Sequence, residues 1–170
     1  LGGEWHNVVQ IGTDVELQSG LYLPLEARQR YFIEPYLRMN RYFEDIYNDG
    51  ERVATYDFIE NYGQVDFGVN LGKEAQLRAG VRQSWNQTKL DTGAPDLLPG
   101  KSNTQESDLV FQAKYDTRDV VGLPGRGNLL VGRYLSSGSW LGGDESYGAA
   151  EAMALVVLPF RGDALNIFGG

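Results

Sequence analysis

The chain has 170 residues, enough for about one domain, with 42% hydrophobic residues, 22 glycines and no cysteine. The lack of cysteine excludes a disulfide framework and thiolate metal sites, and the formal charge of −8 argues against binding nucleic acid, which needs a basic surface. No run of 18 apolar residues occurs, so the sequence predicts no membrane-spanning helix, and the scarcity of helix-forming stretches predicts an all-β fold.

Residues 7–25 alternate between apolar and polar side chains. From Val9 to Leu25 the odd positions are mostly apolar and the even positions mostly polar, a period of two that predicts a strand with two different faces. Strands in soluble proteins usually have about five or six residues, and this segment is much longer. We therefore predict one unusually long strand over 7–25.

The next two segments, 31–47 and 52–71, alternate in the same way and are joined by an Asn-Asp-Gly turn at 48–50. Pro35 lies inside the first segment and removes one ladder donor, which predicts a sheet edge or a bulge there. The second segment changes its apolar parity midway. This change predicts a bulge near Ile59, because one extra residue reverses the direction of every following side chain.

Five further strands complete the expected sheet. They are predicted near 75–90, 108–118, 127–137, 147–160 and 165–170. A stretch rich in Gly, Pro, Asp, Ser and Asn predicts a long loop at 91–107. Together the segments predict an antiparallel up-and-down meander of about eight long strands.

The connections of this meander differ in length between its two ends. One end has the turns 26–30, 72–74, 122–127 and 161–164, and the other has 48–51, 91–107 and 138–146. Apart from the short 48–51 hairpin, the second end has the longer loops. Short turns at one end and longer loops at the other are typical of outer-membrane β-barrels, whose short side is periplasmic. The predicted fold class is all-β, as part of such a barrel or as a smaller closed version of one.

The polar positions of the strands carry charges of both signs. Glu16, Arg38, Arg78 and Arg82 are the candidate lumen residues, since a wet or salt-bridged barrel interior holds such groups. Aromatic residues gather near strand ends, where an interfacial girdle would lie. Both features favour an apolar face that points outward, although a lipocalin-like soluble barrel shows a similar alternation.

Two stretches resemble the bacterial surface antigen barrels, the outer-membrane assembly and two-partner secretion family. The segment YDTRDVVGLPGRGNLL (115–130) resembles that family's strand, turn and strand, and LGGD at 141–144 with Tyr147 resembles the loop that follows. The positions that match the family motif, and that the resemblance implies are structural, are Asp116, Arg118, Asp119, Pro124, Arg126 and Gly127.

The front of the chain narrows this resemblance. LGGEWHNVVQIG, SGLYLPL and YFIEPYL resemble the barrel segment of patatin-like phospholipases that carry their own C-terminal barrel, a type V secretion (autotransporter) arrangement. The resemblance implies a Gram-negative outer-membrane location and a barrel of about 16 strands, preceded by a patatin hydrolase domain and a polypeptide-transport-associated domain. We expect this chain to be the middle portion of that barrel, without the upstream hydrolase domain, the first strands, the lumenal Arg-Gly loop motif or the C-terminal aromatic strand.

The sequence lacks the residue patterns of a hydrolase or metal site. A patatin-type enzyme needs Gly-x-Ser-x-Gly, and no such pentapeptide occurs. His6 is the only histidine, which excludes a histidine metal cluster within one chain. The acidic groups at 116–119 and 142–146 fall at turns, where Asp and Ser commonly bind nearby backbone. We predict no catalytic residue, no metal and no cofactor.

The predicted function is a non-catalytic outer-membrane segment that anchors, and helps to translocate, an attached lipolytic domain. Its expected partners are a lipid bilayer or detergent, the missing barrel strands of the parent chain, and a second copy paired edge to edge. The alternative is a soluble eight-stranded β-barrel that binds an apolar small ligand. The cavity of that barrel would be lined by Leu17, Leu21, Leu77, Val81, Trp85 and Leu155.

Overall fold

Each strand of the chain pairs with its neighbours in sequence, so that one antiparallel sheet results. The computed structural model describes residues 2–93, 101–120, 122, 124–144, 146–160 and 163–169. Within these residues the strands are β1 (Glu4–Gln10), β2 (Val15–Pro24), β3 (Tyr31–Asn48), β4 (Glu51–Leu71), β5 (Ala75–Gly93), β6 (Lys101–Asp116), β7 (Gly127–Ser137), β8 (Tyr147–Phe160) and β9 (Asp163–Gly169). The sheet is open, with β1 and β9 at its edges. The predicted all-β meander is confirmed.

The predicted single strand over 7–25 is wrong. The segment contains parts of β1 and β2, which form a hairpin around residues 11–14. Gln10 pairs with Glu16 and Val9 with Leu17, so odd residues face odd residues across the hairpin. With this register the alternation of apolar and polar residues continues unchanged through the turn. The alternation alone therefore could not show where β1 ends and β2 begins.

The predicted bulge near Ile59 is also wrong. Ile59 pairs regularly with Arg41 on one side and Gln87 on the other. The ladder between β4 and β5 shifts instead at Thr55/Tyr56, near the end of this ladder that lies away from the turn joining the two strands. The apolar residues that suggested a change of parity, such as Phe58, lie on the side of the sheet that also carries the charged even-numbered residues. Aromatic rings stack on one another there.

The predicted loop over 91–107 is shorter than expected. β5 continues to Gly93 and β6 begins at Lys101, and Gln87 pairs with Asn103 between them. Polar side chains made this stretch look like a loop, yet strand pairing satisfies their backbone groups while the side chains remain in water. Residues 94–100 lie outside the described part of the chain.

The predicted sheet edge or bulge at Pro35 is wrong, although the proline interrupts the ladder on one side. β2 pairs with β3 at Gly20/Tyr36 and again at Leu23/Ile33, in the same register, and the residues between them are unpaired across this ladder. On its other side Pro35 pairs with Val65 of β4. The proline therefore lies within the sheet and opens only its contact with β2.

The strand registers decide which residues share a face. Odd residues face one side from β2 to β6, and the pairing of Phe111 with Tyr134 transfers that side to the even residues of β7 and β8. A small apolar cluster, Leu129, Leu155 and Val157, lies on the opposite side. None of the described helical segments is long and apolar enough to cross a membrane.

Candidate functional site

One side of the sheet is largely apolar, and we call it the apolar face. Its large side chains keep between 37% and 54% of their surface exposed, because no second layer of described residues covers them. The members in β2 to β7 include Leu17, Leu21, Leu37, Met39, Val65, Phe67, Leu77, Val81, Trp85, Phe111, Leu130 and Tyr134. A surface this extensive is too large for an ordinary water-exposed side of a monomeric soluble protein.

The apolar face ends in a charged pair on the side of the long hairpins. Arg41 donates two hydrogen bonds to the carboxylate of Asp57, at 2.9 and 2.8 Å. The guanidinium of Arg41 also lies 5.3 Å from the ring centre of Phe43. In the next strand, Lys89 pairs with Asp57 in register. These charged groups mark the end of the apolar face that lies away from the short turns.

The other side of the sheet, which we call the polar face, holds buried and connected charges. At the β2/β3 end, Arg38 donates to the carboxylate of Glu16, and Gln18 donates to the same carboxylate at 2.7 Å. The hydroxyl of Tyr36 donates to Gln18 at 2.8 Å. The paired charged side chains on this face are less exposed than the large side chains of the apolar face.

Arg78 is the centre of a second group on the polar face. It donates to Glu34 at 2.6 Å and to Gln76 at 2.7 Å, and its Nη1 lies 3.9 Å from Asp66. Its guanidinium also lies 5.0 Å from the ring centre of Phe32, a cation–π contact. One cation thus links two carboxylates from neighbouring strands.

A third ion pair joins Arg82 to Asp108 between β5 and β6. The two side chains approach to 2.6 Å, and Asp108 is 1% exposed. The guanidinium of Arg82 lies 5.2 Å from the ring centre of Tyr62. The candidate residues Glu16, Arg38, Arg78 and Arg82 therefore lie on one face, each with a partner of opposite charge.

Two glycines create space on the polar face for their neighbours. A Cβ at Gly68 would lie 2.0 Å from the ring of Phe32, which is fully buried over it. A Cβ at Gly80 would lie 2.0 Å from the carboxylate of Asp66 and 2.5 Å from a backbone oxygen. Only glycine allows these two close approaches.

The β6/β7 turn has the geometry of a tightly bonded loop. The carboxylate of Asp116 accepts two hydrogen bonds from the guanidinium of Arg118, both at 2.9 Å. Pro124 is buried. Gly127 has φ +103, and a Cβ there would lie 2.3 Å from the carbonyl oxygen of Thr117. These contacts constrain the path of the turn.

Asp119 organises the same turn from its centre. Its Oδ1 accepts hydrogen bonds from the backbone N–H groups of Val120 and Gly125 at 3.0 Å and of Arg126 at 3.4 Å. Desolvation raises the pKa of Asp119, but the three backbone donors outweigh it and hold the pKa below its ordinary value. Arg126 takes part here through its backbone.

The loop after β7 covers the free side of β6. Asp144 donates its backbone N–H to Gln105 at 2.9 Å and accepts the N–H of Gln105 on its side chain at 2.8 Å. Tyr147 donates its hydroxyl to Glu106 at 3.2 Å. β7 ends at Ser137, so this loop replaces the missing neighbour of the upper part of β6.

A comparison with protein-family models matches residues 10–168 to the Omp85 superfamily domain. The match covers most of the chain and includes both faces and the β6/β7 turn. The chain belongs to the Omp85 superfamily. The searches of curated proteins and of solved structures found no match.

The Omp85 domain does not bring together the six residues predicted to line a soluble barrel's cavity. Leu17, Leu21, Leu77, Val81 and Trp85 lie on the exposed apolar face, whereas Leu155 is buried on the opposite side. The register between β6 and β7 separates them, because it pairs odd residues of β6 with even residues of β7. In β7 and β8 the even residues therefore lie on the apolar face. That ligand cavity is therefore not formed by the described residues.

Sequence reasoning missed several groups on the polar face of the Omp85 domain. Asp66 and Asp108 complete the networks of Arg78 and Arg82, and Phe32 packs against Gly68. A usable signal was present, since these residues share even parity with the predicted charges. In the described part of the chain no group of three or more His, Cys, Asp or Glu side chains is placed to hold a metal.

Proposed function

We propose that this chain is a non-catalytic sheet of a Gram-negative outer-membrane β-barrel, with the apolar face against lipid and the polar face lining the lumen. The observation that carries this proposal is the contrast between the two faces of one layer. Exposed leucine, valine, phenylalanine and tryptophan cover one face, and paired charges cover the other. Lipid outside and water inside satisfy both faces at once.

The height of the apolar face supports a membrane span. Along β5 the outward residues run from Ala75 to Trp85, ten residue steps, and all of them except Gln83 are apolar. At about 3.3 Å per step this is about 33 Å along the strand, which a tilt of about 40° reduces to about 25 Å across the membrane. That is the height of the apolar band of outer-membrane barrels.

Native tryptophans offer a direct test. Trp85 lies on the apolar face and is 50% exposed, whereas Trp140 lies in the 3₁₀ turn outside the strands and is 70% exposed. In liposomes with brominated acyl chains, we expect a variant that keeps only Trp85 to be quenched by the lipid. The matched variant that keeps only Trp140 should be quenched by aqueous acrylamide instead. Quenching of Trp85 by acrylamide but not by lipid would refute the proposal.

The partners proposed for the sheet follow from its two edges. β1 and β9 each pair on one side only in the described chain. Unpaired strand edges template further pairing. We propose that strands from the parent chain complete the barrel, and that the isolated chain pairs edge to edge with a second copy. A monomer in detergent with both edges unpaired, shown by crosslinking and mass, would contradict this.

We further propose that the parent polypeptide is a patatin-type lipid acyl hydrolase of the autotransporter type, whose barrel anchors and translocates the lipolytic domain. The support is the resemblance of three segments near the front of the chain to such barrels. Reading the coding sequence upstream of Leu1 tests the proposal. The patatin proposal predicts a Gly-x-Ser-x-Gly motif in that upstream sequence. An upstream sequence without a hydrolase motif would refute the patatin assignment and leave the membrane proposal intact.

A further inference from the structure

A basic cleft opens at the end of the sheet that carries the short turns. It has a volume of about 740 Å³ and lies between the turn after β2, the turn after β4 and the end of β6. Its lining has five cationic side chains and two carboxylates, although the whole chain has a formal charge of −8. The charged residues are Arg28, Arg30, Lys73, Lys114, Arg118, Glu74 and Asp116.

Hydrogen bonds fix one wall of this cleft. The amide of Asn70 donates to the carbonyl of Gln29 at 2.6 Å, and the backbone N–H of Asn70 donates to the carbonyl of Arg30 at 2.7 Å. Gln76 in turn donates to the Asn70 side chain at 2.8 Å. The turn that carries Arg28 and Arg30 is therefore held in place before any ligand arrives.

The other wall is fixed by Asp116, whose carboxylate holds Arg118 at 2.9 Å and Lys114 at 3.3 Å. Arg28, Arg30 and Lys73 form no ion pair with any residue in the described part of the chain. These three cations line a common cleft, and two of them stand on a turn held by hydrogen bonds, an arrangement suited to an anionic group.

We propose that this cleft binds an acidic segment of polypeptide at the short-turn mouth of the lumen. The inference rests on the proposed function and deepens it, since a translocated chain would pass this mouth. The lining residues Asn70 and Gln76 lie on the polar face, away from the lipid side. A lipid headgroup would instead approach from the apolar face.

A binding experiment on the full chain in neutral detergent tests the proposal. The probe is a fluorescein-labelled peptide with six glutamates, and its control has glutamine at the same positions. Neutralising three exposed cations, R28Q/R30Q/K73Q, should raise the Kd for the acidic peptide by about 10-fold. The matched variant R52Q/K89Q/K101Q removes three exposed cations near the opposite end and should change the Kd less than about 2-fold.

Three results would overturn the proposal: equal weakening by both triple variants, equal binding of the glutamine peptide, or binding of anionic-lipid vesicles through Arg28, Arg30 and Lys73 without binding of the peptide. Failure of the proposed function is recognised separately. If Trp85 is not quenched by lipid while the acidic peptide still binds through these cations, the membrane assignment fails and the cleft assignment stands.

Discussion

Replacing Arg78 with glutamine should strongly destabilise the folded sheet. Arg78 bonds Glu34 at 2.6 Å and lies 3.9 Å from Asp66, so its loss leaves two carboxylates on the polar face without their shared cation. The side chains of Arg78 and Glu34 are only 22% and 14% exposed. Water therefore compensates poorly for the missing charge.

The expected cost follows from these distances. Two unit charges about 4 Å apart interact by about 4 kcal/mol at an effective dielectric constant of about 20. Removing one partner of a buried ion pair costs about 3–5 kcal/mol. Because some solvent reaches Arg78, we expect the free energy of unfolding to fall by about 2–3 kcal/mol.

Urea unfolding in detergent micelles, followed by tryptophan fluorescence, measures this change. The denaturation midpoint should fall while the slope of the transition stays constant, since the fold itself is retained. Arg52→Gln is the matched control. Arg52 is 59% exposed and lies 3.5 Å from Asp45, so its loss should cost no more than about 1 kcal/mol. If both variants lost the same stability, the polar face would not hold a buried charge network.

Three further predictions concern single positions. Gly68→Ala should cost about 1–3 kcal/mol of unfolding free energy because a phenylalanine ring occupies the Cβ position. Gly63→Ala in the same strand meets open space and should be close to neutral. Equal urea midpoints for the two variants would contradict this prediction. Gly127→Ala should cost about 1–3 kcal/mol through its positive φ and backbone clash, and Gly122→Ala, with no atom within 4 Å, should change the midpoint little. The pKa of Asp119 is lowered in the folded state, so its contribution to stability is present above its unfolded pKa of about 3.9 and is lost as pH falls through the lower folded pKa. The stability difference between wild type and Asp119→Asn should therefore be constant above about pH 5 and shrink in more acidic buffer; a difference that grew with acidity would refute the turn's hydrogen-bond assignment.

Much of the fold was predictable because alternation is a local property of a strand. The segments around β3, β4 and β7 show the period of two clearly, and their observed bounds lie within a few residues of the predicted ones. The hairpin at 11–14 was missed since its register preserves parity. The polar start of β6 was read as a loop because strand pairing beyond the apolar band needs no apolar side chains.

The site was predictable only in part, because partners depend on register. The sequence identified Arg78 and Arg82 as polar-face candidates, but their partners, Glu34 and Asp108, come from strands whose alignment was unknown. Leu155 was grouped with residues of the opposite face, since no local signal shows the odd register between β6 and β7. Long-range pairing, rather than local preference, sets these contacts.

The central claim, an outward apolar face and a wet polar face, is tested most directly with single cysteines. The chain has no native cysteine, and Phe111 and Gln112 are adjacent residues of β6 that lie on opposite faces. Each cysteine variant would carry an environment-sensitive fluorophore in liposomes, with lipid-borne and aqueous quenchers compared. We predict lipid quenching at position 111 and aqueous quenching at position 112. Shielding of position 111 from the lipid quencher, with position 112 open to water, would contradict the membrane assignment.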